Sequence, residues 1–106
     1  MVQITINNLN YKVMLVDPDN KEIRSEDANR INLGKTDCLN QTIYIRNDLN
    51  YNRRLSVIIH ELTHAFIDAY GFVDIHNWSE EQVCTFNETY ASNIVSLANM
   101  LLNELK

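Results

Sequence analysis

The chain has 106 residues, a net charge of −5 and a hydrophobic fraction of 45%. These values predict one domain, residues 1–106, with a single modest core. The acidic balance and the lack of a basic stripe argue against nucleic acid or an anionic membrane as the main partner. No apolar run approaches the roughly 18 residues of a membrane span, and no secretory signal is recognised at the N-terminus.

Cysteine usage bears on the compartment. Cys38 and Cys84 are distant in sequence and form no Cys-x-x-Cys pair. Free thiols in a reducing cytoplasm are therefore expected, with a disulfide as the open alternative.

Four strands are predicted in the first half of the chain. They cover residues 2–6, 11–16, 31–36 and 42–46. The first two alternate between apolar and polar residues and are predicted to pair as a hairpin, and the last two are predicted to form a second pair. The segment Thr42–Arg46 gives the clearest strand signal, because it is rich in β-branched and aromatic residues.

Polar segments separate these strands. Residues 7–10 are predicted to turn between the first two strands, and residues 37–40 between the last two. Asp17, Pro18, Asp19 and Asn20 end the hairpin. Residues 21–30 are polar and mixed, which predicts a loop or a short helix.

Two helices are predicted in the second half of the chain. The first covers about residues 51–70, and Gly71 supplies its stop signal. Ser79 and Gln82 have the spacing of a capping box that begins a final helix over about residues 80–104. The predicted buried stripe of that helix is Val83, Phe86, Tyr90, Ile94, Leu97 and Leu101. The whole pattern predicts an α+β fold in which a small antiparallel or mixed sheet packs on both helices.

A His-Glu-x-x-His motif in the first helix is the most specific feature of the sequence. His60 and His64 are one helical turn apart, so they lie on one face and can share a Zn²⁺ ion. Glu61 lies about a quarter-turn round, where it can hold and deprotonate a water molecule as a general base. Val57 and Asp68 are predicted to share the histidine face. The apolar face of the same helix comprises Leu55, Ile58, Ile59, Leu62 and Phe66.

A catalytic zinc ion needs three protein ligands and one open position, so a third ligand must come from outside this helix. Glu80 is preferred, because it precedes Val83 by three residues and is therefore expected at the inward edge of the final helix. Glu81 is expected to point roughly 160° away from the buried stripe of that helix, toward solvent. Glu81 and His76 stay as alternatives, and both glutamates also suit the dipole of a first helical turn.

Other polar residues support weaker predictions. Asp68 follows His64 by four residues and either accepts the outer N–H of a ligating histidine or is an ordinary exposed aspartate. The candidates for a second electrophile are Tyr51, Asn87 and Tyr90, and a structural role is the alternative for each. The strand Thr42–Arg46 is predicted to offer an edge to which an extended peptide can add.

The histidine motif, with a glutamate following on a separate helix, resembles the zincin peptidases that use a glutamate as third ligand. More closely, the chain is similar to short bacterial and phage members of the ImmA/IrrE-like zinc metallopeptidases, over about residues 11–102. The features that carry this resemblance beyond the motif are Leu33-Gly34, Asp37, Gln41-Thr42-Ile43-Tyr44-Ile45, Arg53 and Glu80-x-x-Val83.

The resemblance implies a small zincin fold, a Zn²⁺ ion held by His60, His64 and Glu80, and proteolysis in the cytoplasm. The better-known relatives cleave repressors that control mobile elements or stress responses. Those relatives often have Ala-Asn where this chain has Val83-Cys84, so the chain departs from their pattern beside the third ligand.

The expected function is zinc-dependent hydrolysis of a protein or peptide substrate, with Glu61 as the general base. One alternative is a catalytically silent zincin-like module that binds metal or a protein partner without cutting it. Another is an interaction protein that needs no metal and whose histidines are incidental.

Overall fold

A computed structural model of the chain describes residues 1–24, 32–72 and 75–105, which form an α+β fold with a four-stranded mixed sheet and two helices. The elements are β1 (Val2–Ile6), β2 (Leu9–Val16), β3 (Gly34–Asp37), β4 (Thr42–Arg46), α1 (Tyr51–Ala69), a 3₁₀ turn (Ile75–Asn77) and α2 (Glu80–Glu104). The predicted α+β class with a mixed sheet is therefore confirmed, but α2 packs mainly against α1 rather than against the sheet, as had been predicted for both helices. Within these residues, neither helix combines the length and apolarity required to cross a membrane.

The hairpin of β1 and β2 is tighter than predicted. Its strands pair antiparallel, with Val2 opposite Val13 and Ile6 opposite Leu9. The turn consists of Asn7 and Asn8, whose φ angles are 49° and 66°. Two successive positive φ angles match the twist of a two-residue hairpin, and asparagine tolerates them better than most residues. Strand β2 therefore begins at Leu9, two residues earlier than predicted.

The sheet order is β1-β2-β4-β3, which makes β3 and β1 the edge strands. Strand β4 pairs in parallel with β2 and antiparallel with β3. The prediction that Thr42–Arg46 offers a free edge is therefore wrong, because neighbours occupy both sides of its backbone. Strand β3 begins at Gly34 rather than at residue 31, which lies outside the described residues. Of the predicted loop or helix at 21–30, residues 21–24 lie in and beside a turn, and the rest falls outside.

Helix α1 covers the predicted segment and packs on one face of the sheet. The Asn50 side chain accepts a hydrogen bond from the Arg53 backbone N–H at 2.9 Å, which caps the first turn. Gly71 follows the last turn with a φ of 73°, as a glycine stop requires. The core between helix and sheet includes Tyr11 and Leu62, both of which are fully buried.

Helix α2 begins with the predicted capping box between Ser79 and Gln82. Phe86, Ile94 and Leu101 are buried as predicted. Val83 is 44% exposed, so its prediction as a core residue is wrong. The reason is that the aromatic cluster at the start of α2 is centred on Phe86, about one turn later than the sequence pattern suggested.

Both cysteines are free in the structure, as expected. Cys38 is half-buried after β3, and Cys84 is exposed in the first part of α2. Burial, followed by the nearby Asp68 and Asp37 carboxylates, raises the pKa of the Cys38 thiol, which makes it a poor nucleophile.

Gly34 allows β3 to approach α1 closely. A Cβ atom at this position would lie 2.9 Å from the Tyr44 carbonyl oxygen, 3.0 Å from Val57 Cγ1 and 3.1 Å from Glu61 Cγ. Because backbone and helix lie on different sides of it, neither neighbour can move away without opening the sheet–helix interface.

We expect Gly34→Ala to lower the free energy of unfolding by about 1–3 kcal/mol, as overpacking of a tight interface does. Urea denaturation followed by circular dichroism measures this. Gly71→Ala is the comparison, because its site is sterically open but has a positive φ, and about 1 kcal/mol is expected there. A Gly34→Ala protein as stable as the wild type would contradict the close approach.

Candidate metal centre

Helix α1 presents His60 and His64 side by side on its outer surface. The His60 side chain is 70% exposed and His64 is also exposed. Their ring centroids are 5.0 Å apart and the ring planes are inclined by 72°. Two imidazoles that bind one tetrahedral zinc ion at about 2.0–2.1 Å have ring centroids about 5 Å apart. The distance between the two rings is therefore compatible with a shared zinc ion.

The opposite side of α1 holds this pair in position. Ile58, Leu62 and Phe66 are buried, as the helical periodicity predicted, and the Phe66 ring contacts Tyr90 of α2 at a centroid distance of 6.0 Å. Val57 was predicted on the histidine face but is buried, because it packs against the Cα position of Gly34 in β3. The exposed face is therefore narrower than predicted, and it is bordered on one side by the edge strand.

Glu61 lies at that border. Its side chain is buried, with a relative exposure of 6% for the residue. The Thr36 hydroxyl lies 2.8 Å from Glu61 Oε1 and 3.0 Å from the Glu61 backbone oxygen, and it donates to these acceptors. The other carboxylate oxygen, Oε2, is 4.0 Å from His60 Nε2. One oxygen is thus held by the edge strand and the other faces the histidine.

Thr36 was not identified from the sequence as part of this site. It belongs to β3, and its contact with Glu61 spans 25 residues of sequence. Only the pairing of β3 with β4, where Thr36 lies opposite Ile43, brings its hydroxyl beside the helix. No local pattern carries that information.

Two depressions lie beside the histidines. A cleft of about 320 Å³ lies beside the contact between the start of β3 and α1, and its lining includes Gly34, Arg53, Ser56, His60 and Glu61. A shallower depression of about 500 Å³ lies on the other side of the pair, where His64 contacts the same space as Ile75. His60 therefore borders both depressions, whereas His64 borders the second and Glu61 borders the first.

The structure does not join a third ligand to the pair. Across residues 1–24, 32–72 and 75–105, no group of three or more histidine, cysteine, aspartate or glutamate side chains is arranged to hold a metal ion. Glu80 and Glu81 are both exposed in the first turn of α2, and His76 is exposed in the 3₁₀ turn. The donors that the structure brings together are thus two imidazoles.

The sequence-based preference for Glu80 depended on Val83 being buried. Because Val83 is exposed, burial does not distinguish Glu80 from Glu81. Glu81 lines a groove with Phe72 and Trp78, which gives its side chain surroundings that Glu80 does not share. Glu80 stays the predicted ligand because its position after the histidine motif is similar to that of the third ligand in the zincins that use a glutamate.

Asp68 has a partner other than a histidine. The buried Tyr11 hydroxyl donates a hydrogen bond to Asp68 Oδ2 at 2.7 Å. Burial, followed by this hydrogen bond and the Asp68 charge, raises the pKa of Tyr11 far above its usual value, so the phenol remains a donor. Asp68 is exposed, as its second alternative expected, and its carboxylate also ties α1 to β2 through Tyr11.

The three residues considered as second electrophiles lie away from the depressions beside His60. Tyr90 packs among aromatic rings, with Tyr70 at a centroid distance of 4.6 Å and Phe86 at 5.1 Å. Tyr51 and Asn87 are exposed on α1 and α2. None of the three lines either described depression. Arg53, a charged hydrogen-bond donor, does line the first depression.

The fold and the site define an α+β protein with a His-Glu-x-x-His helix beside the edge strand of a mixed sheet. Comparisons with protein-family models, with curated proteins and with solved structures give no match. The resemblance to the ImmA/IrrE-like metallopeptidases therefore stays a prediction from the motif.

We expect the purified protein to bind one zinc ion per chain, measured by competition with a chromogenic chelator. His60→Ala and His64→Ala should each weaken binding by more than about 100-fold, because loss of even an indirect partner of a metal ligand costs 10–100-fold. Glu80→Ala should weaken it strongly, and Glu81→Ala should not. Equal effects of the two glutamate variants would overturn the choice of Glu80.

Proposed function

We propose that this chain is a zinc-dependent metallopeptidase of the zincin type that acts in the cytoplasm. His60, His64 and Glu80 hold the zinc ion, and Glu61 is the general base. The observation that carries the proposal is the position of the Glu61 carboxylate. It lies between an exposed histidine pair with zinc-compatible spacing and the edge strand of the sheet.

A bound zinc ion supplies a Lewis acid that acidifies water and stabilises negative charge on a peptide carbonyl oxygen. Glu61 provides the proton transfer. Its Oε1 is occupied by the Thr36 hydroxyl, so Oε2, the oxygen nearer His60, is the one available to accept a proton from water. The same oxygen can then donate that proton to the leaving nitrogen, as a general base that becomes a general acid.

The edge strand supports a peptide as the substrate. Within the part of the chain that the structure describes, β3 pairs with β4 on one side only, so the backbone donors and acceptors of its other side have no strand partner there. An extended peptide that adds to this side would pass along the cleft and bring a carbonyl group to His60 and Glu61. Backbone recognition of this kind selects extended polypeptide over compact small molecules.

A catalytically silent zincin-like module is the second candidate function. One observation favours it: the described residues do not bring a third ligand to the histidine pair. Such a module would bind metal, or a protein partner, without hydrolysis.

Substitution of Glu61 separates the two candidates. We expect Glu61→Gln to retain zinc and to lower kcat by about 10²–10⁴-fold, the usual contribution of a general base. Cleavage of a quenched fluorescent peptide library measures activity, and metal analysis measures zinc. Glu88→Gln is the matched control, because Glu88 is exposed on α2 and should leave both quantities unchanged. Equal cleavage by Glu61→Gln and wild type would eliminate Glu61 as the base.

Thr36 is expected to act as a positioning residue for Glu61. Thr36→Val removes the hydroxyl with little change of shape, and kcat should fall about 10-fold or more, as loss of a hydrogen bond to a charged group implies. Zinc affinity should not change, and Thr36→Ser should restore the rate.

The control for Thr36 is Thr5→Val, because the Thr5 hydroxyl bonds Asn10 on the first hairpin rather than Glu61. A Thr36→Ser enzyme as slow as Thr36→Val would point to packing rather than to the hydrogen bond.

A further inference from the structure

Arg53 places a cation in the cleft beside Glu61. It lies in the first turn of α1 and lines the cleft together with His60 and Glu61. Arg46 forms an ion pair with Asp48 at 2.6 Å, but the Arg53 guanidinium has no carboxylate partner among the described residues. In a chain of net charge −5, a guanidinium that lines an open cleft can bind an anionic group of a ligand.

The distance between Arg53 and His60 along α1 sets how far from the cut peptide bond a substrate group bound by Arg53 would lie. Seven residues make nearly two full helical turns, so the two side chains share a face about 10 Å apart along the axis. An extended peptide advances roughly 3.3 Å per residue. Arg53 therefore lies opposite a substrate residue about two or three positions from the bond that is cut at His60.

The relative direction of β3 and α1 shows whether the substrate residue near Arg53 comes before or after the cut peptide bond. Gly34 approaches Val57, and Thr36 bonds Glu61 about one turn further along the helix. Strand and helix therefore advance in the same sense, and Arg53 lies toward the start of β3. A peptide that adds to β3 antiparallel, the commoner pairing, runs the opposite way. Its residues after the cut bond then pass toward Arg53.

We propose that Arg53 binds a carboxylate of the substrate on the C-terminal side of the cut bond, about two or three residues beyond it. This rests on the proposed peptidase function and specifies its substrate class. The planar guanidinium can hold a carboxylate through two parallel hydrogen bonds, and Ser56 adds a neutral hydroxyl to the same cleft. The carboxylate belongs to an acidic side chain or to the substrate's own C-terminus.

The test uses quenched fluorescent peptides with glutamate, glutamine or lysine at the second or third residue after the cut bond. A second set places the same residues before it. For the wild-type enzyme, glutamate after the bond should raise kcat/KM by about 10-fold over glutamine, as a charge-assisted pair implies. Arg53→Glu should prefer lysine instead, and Arg53→Lys should keep part of the glutamate preference.

Each peptide is prepared with a free and with an amidated C-terminus. A preference that survives amidation assigns the carboxylate to the acidic side chain. One that disappears on amidation assigns it to the chain terminus, and either result supports the proposal. A glutamate preference found only before the cut bond would overturn the assigned side.

Binding provides a readout that does not require catalysis. Fluorescence anisotropy of the same peptides, dye-labelled, is measured on Glu61→Gln protein with and without the Arg53→Glu change. Arg53→Glu should weaken the glutamate peptide about 10-fold and leave the glutamine peptide unchanged. A glutamate in the first turn of α1 suits the helix dipole, so folding is not at risk.

Lys12→Glu is the control for charge. Lys12 follows the buried Tyr11 in β2, so its exposed side chain lies on the sheet face opposite α1, and the change should have no effect on binding. Binding that depends on Arg53 without any cleavage would support the carboxylate site and reject the peptidase. Equal binding of glutamate and glutamine peptides by protein with and without Arg53 would overturn the carboxylate site, even in an active enzyme.

Discussion

The packing of β3 against α1 is the constraint on which the arrangement of the site depends. Gly34 has no side chain, so the strand lies close enough for the next inward residue, Thr36, to hold the Glu61 carboxylate. The same approach buries Val57 and leaves the two histidines on a narrow exposed face. A wider gap would release the carboxylate to solvent, where its orientation toward His60 would be lost.

Local signals in the sequence were sufficient for the elements but not for their order. The capping box at Ser79, the stop at Gly71 and the alternation of the strands gave helices and strands within a few residues of those observed. Alternation shows which side chains face the core, but it does not show which strands are neighbours. The parallel pairing of β2 with β4 therefore had no counterpart in the sequence, and the wrong strand was assigned the free edge.

The same distinction between local signals and contacts between elements applies to the site. The histidine pair follows from helical periodicity alone, so its geometry was predictable. The hydrogen bond from the Thr36 hydroxyl to Glu61, and the cleft that Arg53 lines, depend on where β3 lies against α1. The position of a third ligand depends on how the two helices lie against each other. The predicted burial of Val83 was the basis for placing Glu80 at the inward edge of α2, and Val83 is exposed. Spacing along one helix was predictable from periodicity, whereas contacts between elements, including those that decide the burial of Val57 and Val83, were not.

The position of His60 between two depressions has a consequence for turnover in the proposed enzyme. Among the described residues, open space lies on both sides of His60, so the two fragments of a cleaved chain would have two directions in which to leave. The same openness admits a strand that is still attached to a large folded body. Such an enzyme would choose its targets by whether they expose an unstructured stretch, rather than by their overall size.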